Sequence, residues 1–112
     1  MQFDMRRVIL FTPNVERLSR FYEDVLGLKP VGKEEGWRDF AAGACNIALH
    51  AGRPVASAPQ TKLVFFARDV AAARASLVKR GAKMGKIAST ASFDMCDGRD
   101  PDGNRFQISS RK

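Results

Sequence analysis

"RVILFTPNVERLSRFYEDVLGLKPV", residues 7–31, reads in order as a strand, a helix cap, a helix, a glycine stop and the start of another strand. Val8 and Leu10 alternate with Ile9 and Phe11, the period of two that a strand imposes. Asn14 is an N-cap candidate, because a short polar side chain can accept the orphan N–H groups of the first helical turn. Val15, Leu18, Phe21, Tyr22, Val25 and Leu26 recur at helical spacing. Gly27 follows as a residue free to take the left-handed conformation that ends helices. "KLVFFARDVAAARASLVKRGAKMGKI", residues 62–87, repeats the order. Leu63–Phe66 form the strand, Asp69 the cap, Val70, Ala73, Leu77 and Val78 the apolar stripe, and Gly81 the stop. A supersecondary unit that returns in the same order is the mark of an internal repeat.

Working outward, short β segments follow each helix. The first half offers about Pro30–Lys33, Trp37–Ala41 and Cys45–Ala51, punctuated by glycines. The second offers about Lys83–Ile87, Ser92–Cys96 and Arg105–Ser109. Each half therefore reads βαβββ, and the chain reads as α+β. We expect a single domain over 1–112, with one module at about 1–52, a Pro/Ala/Ser linker at about 53–60 and a second module at about 61–112. The last hairpin is announced by "DPDGNRFQI", residues 100–108. Pro101 presets φ, Asp102 follows, and Gly103 can turn the third corner with positive φ and start a bulge. Read as a calcium loop from Asp100, the same stretch puts Arg105 where glycine is needed and has no closing acid, so that reading fails.

The 112 residues are 45% hydrophobic and 28% charged, an ordinary globular balance that can bury a core without disulfides. Cys45 and Cys96 are too few for a disulfide framework or a zinc site. No apolar run approaches a membrane span. The start, "MQFDMRRVILF", lacks a signal peptide's apolar region and cleavage site, so the cytoplasm is the expected location. The net charge of +7 is uneven: residues 1–56 carry eight Lys/Arg against seven Asp/Glu, and residues 57–112 carry eleven against five. The surplus cations are spread along a helix and its exit rather than interleaved with aromatics, which argues against a nucleic-acid platform.

A doubled βαβββ unit with "FYEDVLGLKPV" in its first helix and "DPDGN" before its last strand resembles the vicinal oxygen chelate superfamily, which covers glyoxalases, bleomycin resistance proteins and extradiol dioxygenases. The resemblance runs over essentially the whole chain. A ferredoxin-like or RNA-recognition fold expects βαββαβ instead, and the glycine–aromatic strand signature of the latter is missing. The resemblance implies curled mixed sheets with helices on the convex side and a cavity on the concave side. It also implies pairing as a homodimer. In the family's metalloenzymes, His or Gln at the start of the first strand and Glu in the middle of the fourth strand of each module hold a divalent metal. Those positions fall here on Arg7, Ala48, Lys62 and Gln107. Arginine has no lone pair to give and lysine would repel the ion, so only Gln107 has a possible donor. We therefore expect no metal cofactor.

Period two gives the concave face: Arg7, Ile9 and Phe11; Asn46, Ala48 and His50; Lys62, Val64 and Phe66; Arg105, Gln107 and Ser109. Apolar walls with a few cations suit a small ligand that is anionic or aromatic. Arg7, Lys62 and Arg105 would meet its charge and Phe11, Phe66 and Trp37 its body. The plainer reading has Arg7 and Lys62 solvated or paired with Asp39 or Asp94, Gln107 as a structural hydrogen-bonder, and the phenylalanines as packing or dimer contacts. His50, the one histidine, is the candidate for acid–base chemistry or a rearranged metal site, against a solvent-facing strand end. The expected function is metal-independent small-molecule binding, with a lyase, isomerase or dioxygenase using a divalent metal or acid–base chemistry as the alternative.

Overall fold

The computed structural model describes residues 2, 4–53 and 61–112; the expected linker falls almost entirely on residues 54–60, outside the described residues. The chain divides into two compact units, Met1–Ala56 and Ser57–Lys112. The first unit runs β1 (Arg7–Thr12), α1 (Val15–Arg20), a π-helical turn (Phe21–Val25), β2 (Lys29–Glu34), β3 (Trp37–Ala41) and β4 (Asn46–Ala51). The second runs β5 (Leu63–Phe66), α2 (Val70–Lys79), β6 (Lys83–Ser89), β7 (Asp94–Arg99) and β8 (Arg105–Ser109). Each unit is thus βαβββ, and the fold class is α+β as read from the sequence. The helices among the described residues are all too short or too polar to cross a membrane.

Each unit holds one four-stranded mixed, open sheet, in the orders β1-β4-β3-β2 and β5-β8-β7-β6. The first strand pairs parallel with the last, β1 with β4 and β5 with β8, and the remaining neighbours are antiparallel. A parallel pair cannot be joined by a tight hairpin, so the helix and two strands between its members are the crossover the pairing requires. The helices start where expected: Asn14 accepts from the Arg17 N–H at 3.0 Å, and Asp69 from the Ala72 N–H at 2.9 Å. They end at glycines with positive φ, Gly27 at 73° and Gly81 at 97°.

In the first unit α1 packs on β3 and β4, and in the second α2 packs on β6, β7 and β8. Leu18, Tyr22, Phe40, Ile47 and Leu49 form the first core, and Val70, Leu77, Cys96, Phe106 and Ile108 the second. The opposite face of each sheet has no helix of its own unit against it. Along β1 the alternation is visible residue by residue: Arg7, Ile9 and Phe11 are exposed, whereas Val8 and Leu10 are half-buried.

Three local expectations change. The first helix does not stay α throughout: past Arg20 it widens into the π turn, with the Leu26 N–H donating to the Phe21 carbonyl at 3.0 Å. Phe21 and Tyr22 are both buried there, although neighbours on an α-helix diverge by about 100°. Val78, placed in the apolar stripe of α2, is 46% exposed; the short helix buries only Val70 and Leu77 among its residues. The strand expected at Ser92–Cys96 is β7, Asp94–Arg99, and β6 continues to Ser89. Asp97 and Gly98 look like turn residues, but Gly98 is needed inside the strand: a Cβ there would lie 2.6 Å from Phe106 Cζ and from Met84 Sδ.

The closing hairpin follows its turn chemistry. The Gly103 N–H donates to the Asp100 carbonyl and the Asp100 N–H to the Asn104 carbonyl, both at 2.9 Å, around a glycine with φ of 86°. The buried Asp100 side chain fixes the loop by accepting from the N–H groups of Asp102 and Asn104 and from the Asn104 amide. This rigid turn sets the β7–β8 register, which puts Asp97 opposite Gln107.

Candidate functional site

The helix-free face of each unit carries a cation at the start of its first strand or just before it, joined to a carboxylate two strands away. In the first unit Arg7 Nη2 lies 3.2 Å from Asp39 Oδ2. β4 stands between β1 and β3, and the β4 residue opposite Asp39 is Ala48. A methyl group there leaves the guanidinium room to reach across. The Asp39 side chain is 11% exposed and that of Arg7 37%. Asp39 Oδ1 is buried and has no hydrogen-bond partner among the described residues.

Aromatic rings adjoin this pair. The Arg7 guanidinium lies 6.0 Å from the centre of the Trp37 ring, at the outer reach of a cation–π contact. The register aligns Phe11, His50 and Trp37 across β1, β4 and β3. The His50 ring centre is 5.6 Å from that of Phe11 and 5.7 Å from that of Trp37, meeting the indole edge-on. His50 Nδ1 is 2.8 Å from the Ala51 carbonyl. A carbonyl only accepts, so Nδ1 carries the hydrogen and Nε2 of the neutral ring keeps its lone pair. With Ile9 and Phe11 42% and 51% exposed, this face is aromatic and nearly balanced in charge.

The second unit repeats the device with different neighbours. Lys62 Nζ lies 3.0 Å from Asp97 Oδ2, and Gln107 Nε2 donates to Asp97 Oδ1 at 2.9 Å. Burial pushes the Asp97 carboxyl up, but hydrogen bonds from Gln107 and Lys62 and the charges of Lys62 and Arg105 outweigh it, so its pKa falls below the ordinary carboxylate value. Asp97 borders two hollows. One, of about 380 Å³, is lined by Lys62, Lys86, Met95 and Gln107, and the other, of about 330 Å³, by Lys83, Arg99 and Arg105. Val64 and Phe66 on the same face are 59% and 56% exposed.

The structure thus brings Arg7, Phe11 and His50 together in one unit, and Lys62, Gln107 and Arg105 in the other, with Phe66 two residues beyond Val64 on the same strand. Ser109 shares the strand parity of Gln107, but it is 2% exposed and its hydroxyl accepts from the Arg111 N–H, so it offers nothing to a ligand. Of the two acids considered as partners, Asp39 does hold Arg7, whereas Lys62 meets Asp97 and not Asp94. Met95 and Asp97 share the helix-free face, while Cys96 is buried on the helix side. Burial raises the Cys96 thiol pKa above its ordinary value, against the lowering effect of Arg74. Asp97 was the site residue that sequence reasoning missed, although counting back from the turn gives its pairing with Gln107.

The positions that hold metal in family metalloenzymes do not fit one here. Arg7 and Lys62 are cations engaged by carboxylates, Ala48 has no donor, and Gln107 turns its N–H toward Asp97. Among the described residues no three His, Cys, Asp or Glu side chains come together as a metal-binding group.

Comparison with solved structures finds the same fold at low identity. An antibiotic-binding protein from a Streptomyces species superposes with a TM-score of 0.82 at 20% identity, over 96% of this chain and 94% of that one. The fosfomycin resistance protein of Mesorhizobium loti gives 0.79 at 17% identity, over 100% and 94%. Lactoylglutathione lyase from Agrobacterium tumefaciens gives 0.78 at 20% identity, over 94% and 91%. Curated protein sequences gave no significant match. The family model for the Glyoxalase/Bleomycin resistance protein/Dioxygenase superfamily matches residues 5–108, nearly the whole length, and the chain belongs to that superfamily.

Proposed function

We propose that this protein binds a small anionic or aromatic molecule on its helix-free sheet faces and needs no metal to do so. The observation that carries the reading is that Arg7 and Lys62, two of the positions the family's metalloenzymes use for metal ligands, are cations each paired with a carboxylate, Asp39 and Asp97. Within each unit a divalent ion would meet a side chain that is itself cationic, Arg7 in the first and Lys62 in the second, and that already holds the neighbouring carboxylate. The aromatic group of Phe11, Trp37 and His50 suits a flat apolar body, and the lysines and arginines around Asp97 suit a carboxylate or phosphate. Pairing as a homodimer, as the family implies, and a cytoplasmic location are part of the same proposal.

The test offers Ni²⁺, Mn²⁺, Fe²⁺ and Zn²⁺ one at a time to untagged protein, follows the melting temperature, and then screens aromatic carboxylates by the same readout. Stabilisation by ligand binding follows mass action. A carboxylate that raises the melting point while the metals leave it unchanged supports the reading. A metal that binds near one per chain and raises it overturns the reading.

A second reading has one observation in its favour. The free Nε2 lone pair of His50, set between two aromatic rings, is the arrangement a general base would need in an acid–base lyase or isomerase. Turnover abolished by His50→Gln with ligand affinity kept would establish it.

A further inference from the structure

The two ion pairs occupy equivalent places in the two units, yet they differ in how firmly they are shut. Asp39 is enclosed, its side chain 11% exposed, and works as a fixture of the first sheet. Asp97 is open, its side chain 56% exposed, and Lys62 is 32% exposed. Asp97 is nevertheless held at both oxygens, one by an ammonium and one by an amide N–H. That is how a bound carboxylate or phosphate would be held, with a charge-assisted bond at one oxygen and a neutral donor at the other.

The surroundings carry more positive charge than Asp97 can neutralise. The linings of the two hollows beside it contain Lys62, Lys83, Lys86, Arg99 and Arg105, with Asp97 as the only acid among them. Gly85 borders both hollows and adds no side chain to obstruct either. Five cations against one carboxylate favour an incoming group with more than a single negative charge.

Taking the helix-free faces as the ligand-binding faces, we infer that Asp97 is a displaceable internal competitor, occupying Lys62 and Gln107 in place of an oxyanion ligand that bears two or more negative charges. A phosphate group and a dicarboxylate share this chemistry. When the oxyanion arrives, Lys62 and Gln107 exchange one acceptor for another, and Asp97 swings away from the sheet. The open Asp97 side chain therefore sets the affinity threshold of the site, and ligands of low charge fail to displace it.

The experiment titrates inorganic phosphate, succinate and acetate, at constant ionic strength and pH 7.5, into the wild-type chain and three variants. Amide chemical shifts of β5, β7 and β8 are the readout. Asp97→Asn removes the competitor and is expected to tighten phosphate or succinate binding by about tenfold, since a like charge beside the ligand is lost as well. Lys62→Met is expected to abolish the shifts. Asp94→Asn makes the same change in net charge from a position off this face and is expected to leave affinity within about twofold, the ordinary scale of a screened surface charge. Circular dichroism confirms the fold of each variant. Phosphate bound tighter than succinate identifies a phosphate-bearing ligand, and the reverse a dicarboxylate; either supports the inference.

Unchanged or weaker binding in Asp97→Asn overturns it, as does equal tightening by Asp94→Asn or acetate binding as well as the dianions. In those cases anions still bind, and the proposed function stands. Shifts with none of the three anions overturn the inference alone if the aromatic-carboxylate screen gives a ligand. If that screen fails too, the proposed function fails with it.

Discussion

Removing Arg7 should destabilise the first unit because it strands Asp39, and a second substitution at Asp39 should then restore stability. At 3.2 Å two unit charges attract by about 5 kcal/mol at an effective dielectric constant of about 20, and by about 1.3 kcal/mol in bulk water. Arg7 is 37% exposed, so solvent screening pulls the value toward the lower figure. Asp39 is 8% exposed overall and its Oδ1 already lacks a partner among the described residues, so it has little solvation to fall back on. Breaking a fully buried pair costs about 3–5 kcal/mol, and this partly open one should cost about 2 kcal/mol in Arg7→Met. Asp39→Asn should cost only about 1 kcal/mol, because Arg7 can turn to water. The double variant should also sit about 1 kcal/mol below wild type, which makes the coupling energy about 2 kcal/mol. The assay is urea unfolding followed by circular dichroism. With a slope of about 1.3 kcal/mol per molar, Arg7→Met lowers the midpoint by about 1.5 M. The decisive comparison is the sign of Asp39→Asn in the two backgrounds: destabilising beside Arg7 and stabilising beside Met. If Asp39→Asn destabilises the Arg7→Met protein, Asp39 is not held by Arg7 and the reasoning fails.

Two further outcomes follow from geometry on the other unit. Gly98→Ala should cost about 1–3 kcal/mol, since its Cβ meets the fully buried Phe106 ring at 2.6 Å; adding Phe106→Leu should recover part of the melting temperature, and failure to do so would locate the strain elsewhere. Asp97 has its pKa lowered in the folded chain, so its contribution to stability is present above the ordinary carboxylate pKa and is lost as pH falls through the folded value; wild type should lose stability relative to Asp97→Asn below about pH 4, and parallel pH profiles would refute this.

The fold was legible because each local signal agreed with its neighbours. Asn14 and Asp69 cap, Gly27 and Gly81 stop, and Asp100 to Gly103 turn, all by chemistry confined to a few residues. Period two also sorted Arg7, Ile9 and Phe11 from Val8 and Leu10 without any structure. What escaped depended on contacts between distant residues. The π turn at Phe21 departs from the α-helical spacing that the apolar pattern suggested. The continuation of β7 through Asp97 and Gly98 depends on Phe106 filling the space beneath Gly98, which local propensity reads as a turn. The ion pairs lay between these cases: Asp39 opposite Ala48 and Asp97 opposite Gln107 follow from register, and register follows once the hairpin turn is fixed.

The placement of the aromatic residues also decides how the molecule will look to light. Its single tryptophan, Trp37, and its single tyrosine, Tyr22, both belong to the first unit. Apart from phenylalanine the second unit has no ultraviolet chromophore of its own among its side chains. Absorbance at 280 nm and intrinsic emission therefore report on the first unit alone, while far-ultraviolet circular dichroism reports on both. Superimposed melting curves from emission and dichroism would make the two repeats one cooperative assembly. An emission transition separated from the dichroism curve would show one repeat outliving the other, without a label or a mutation.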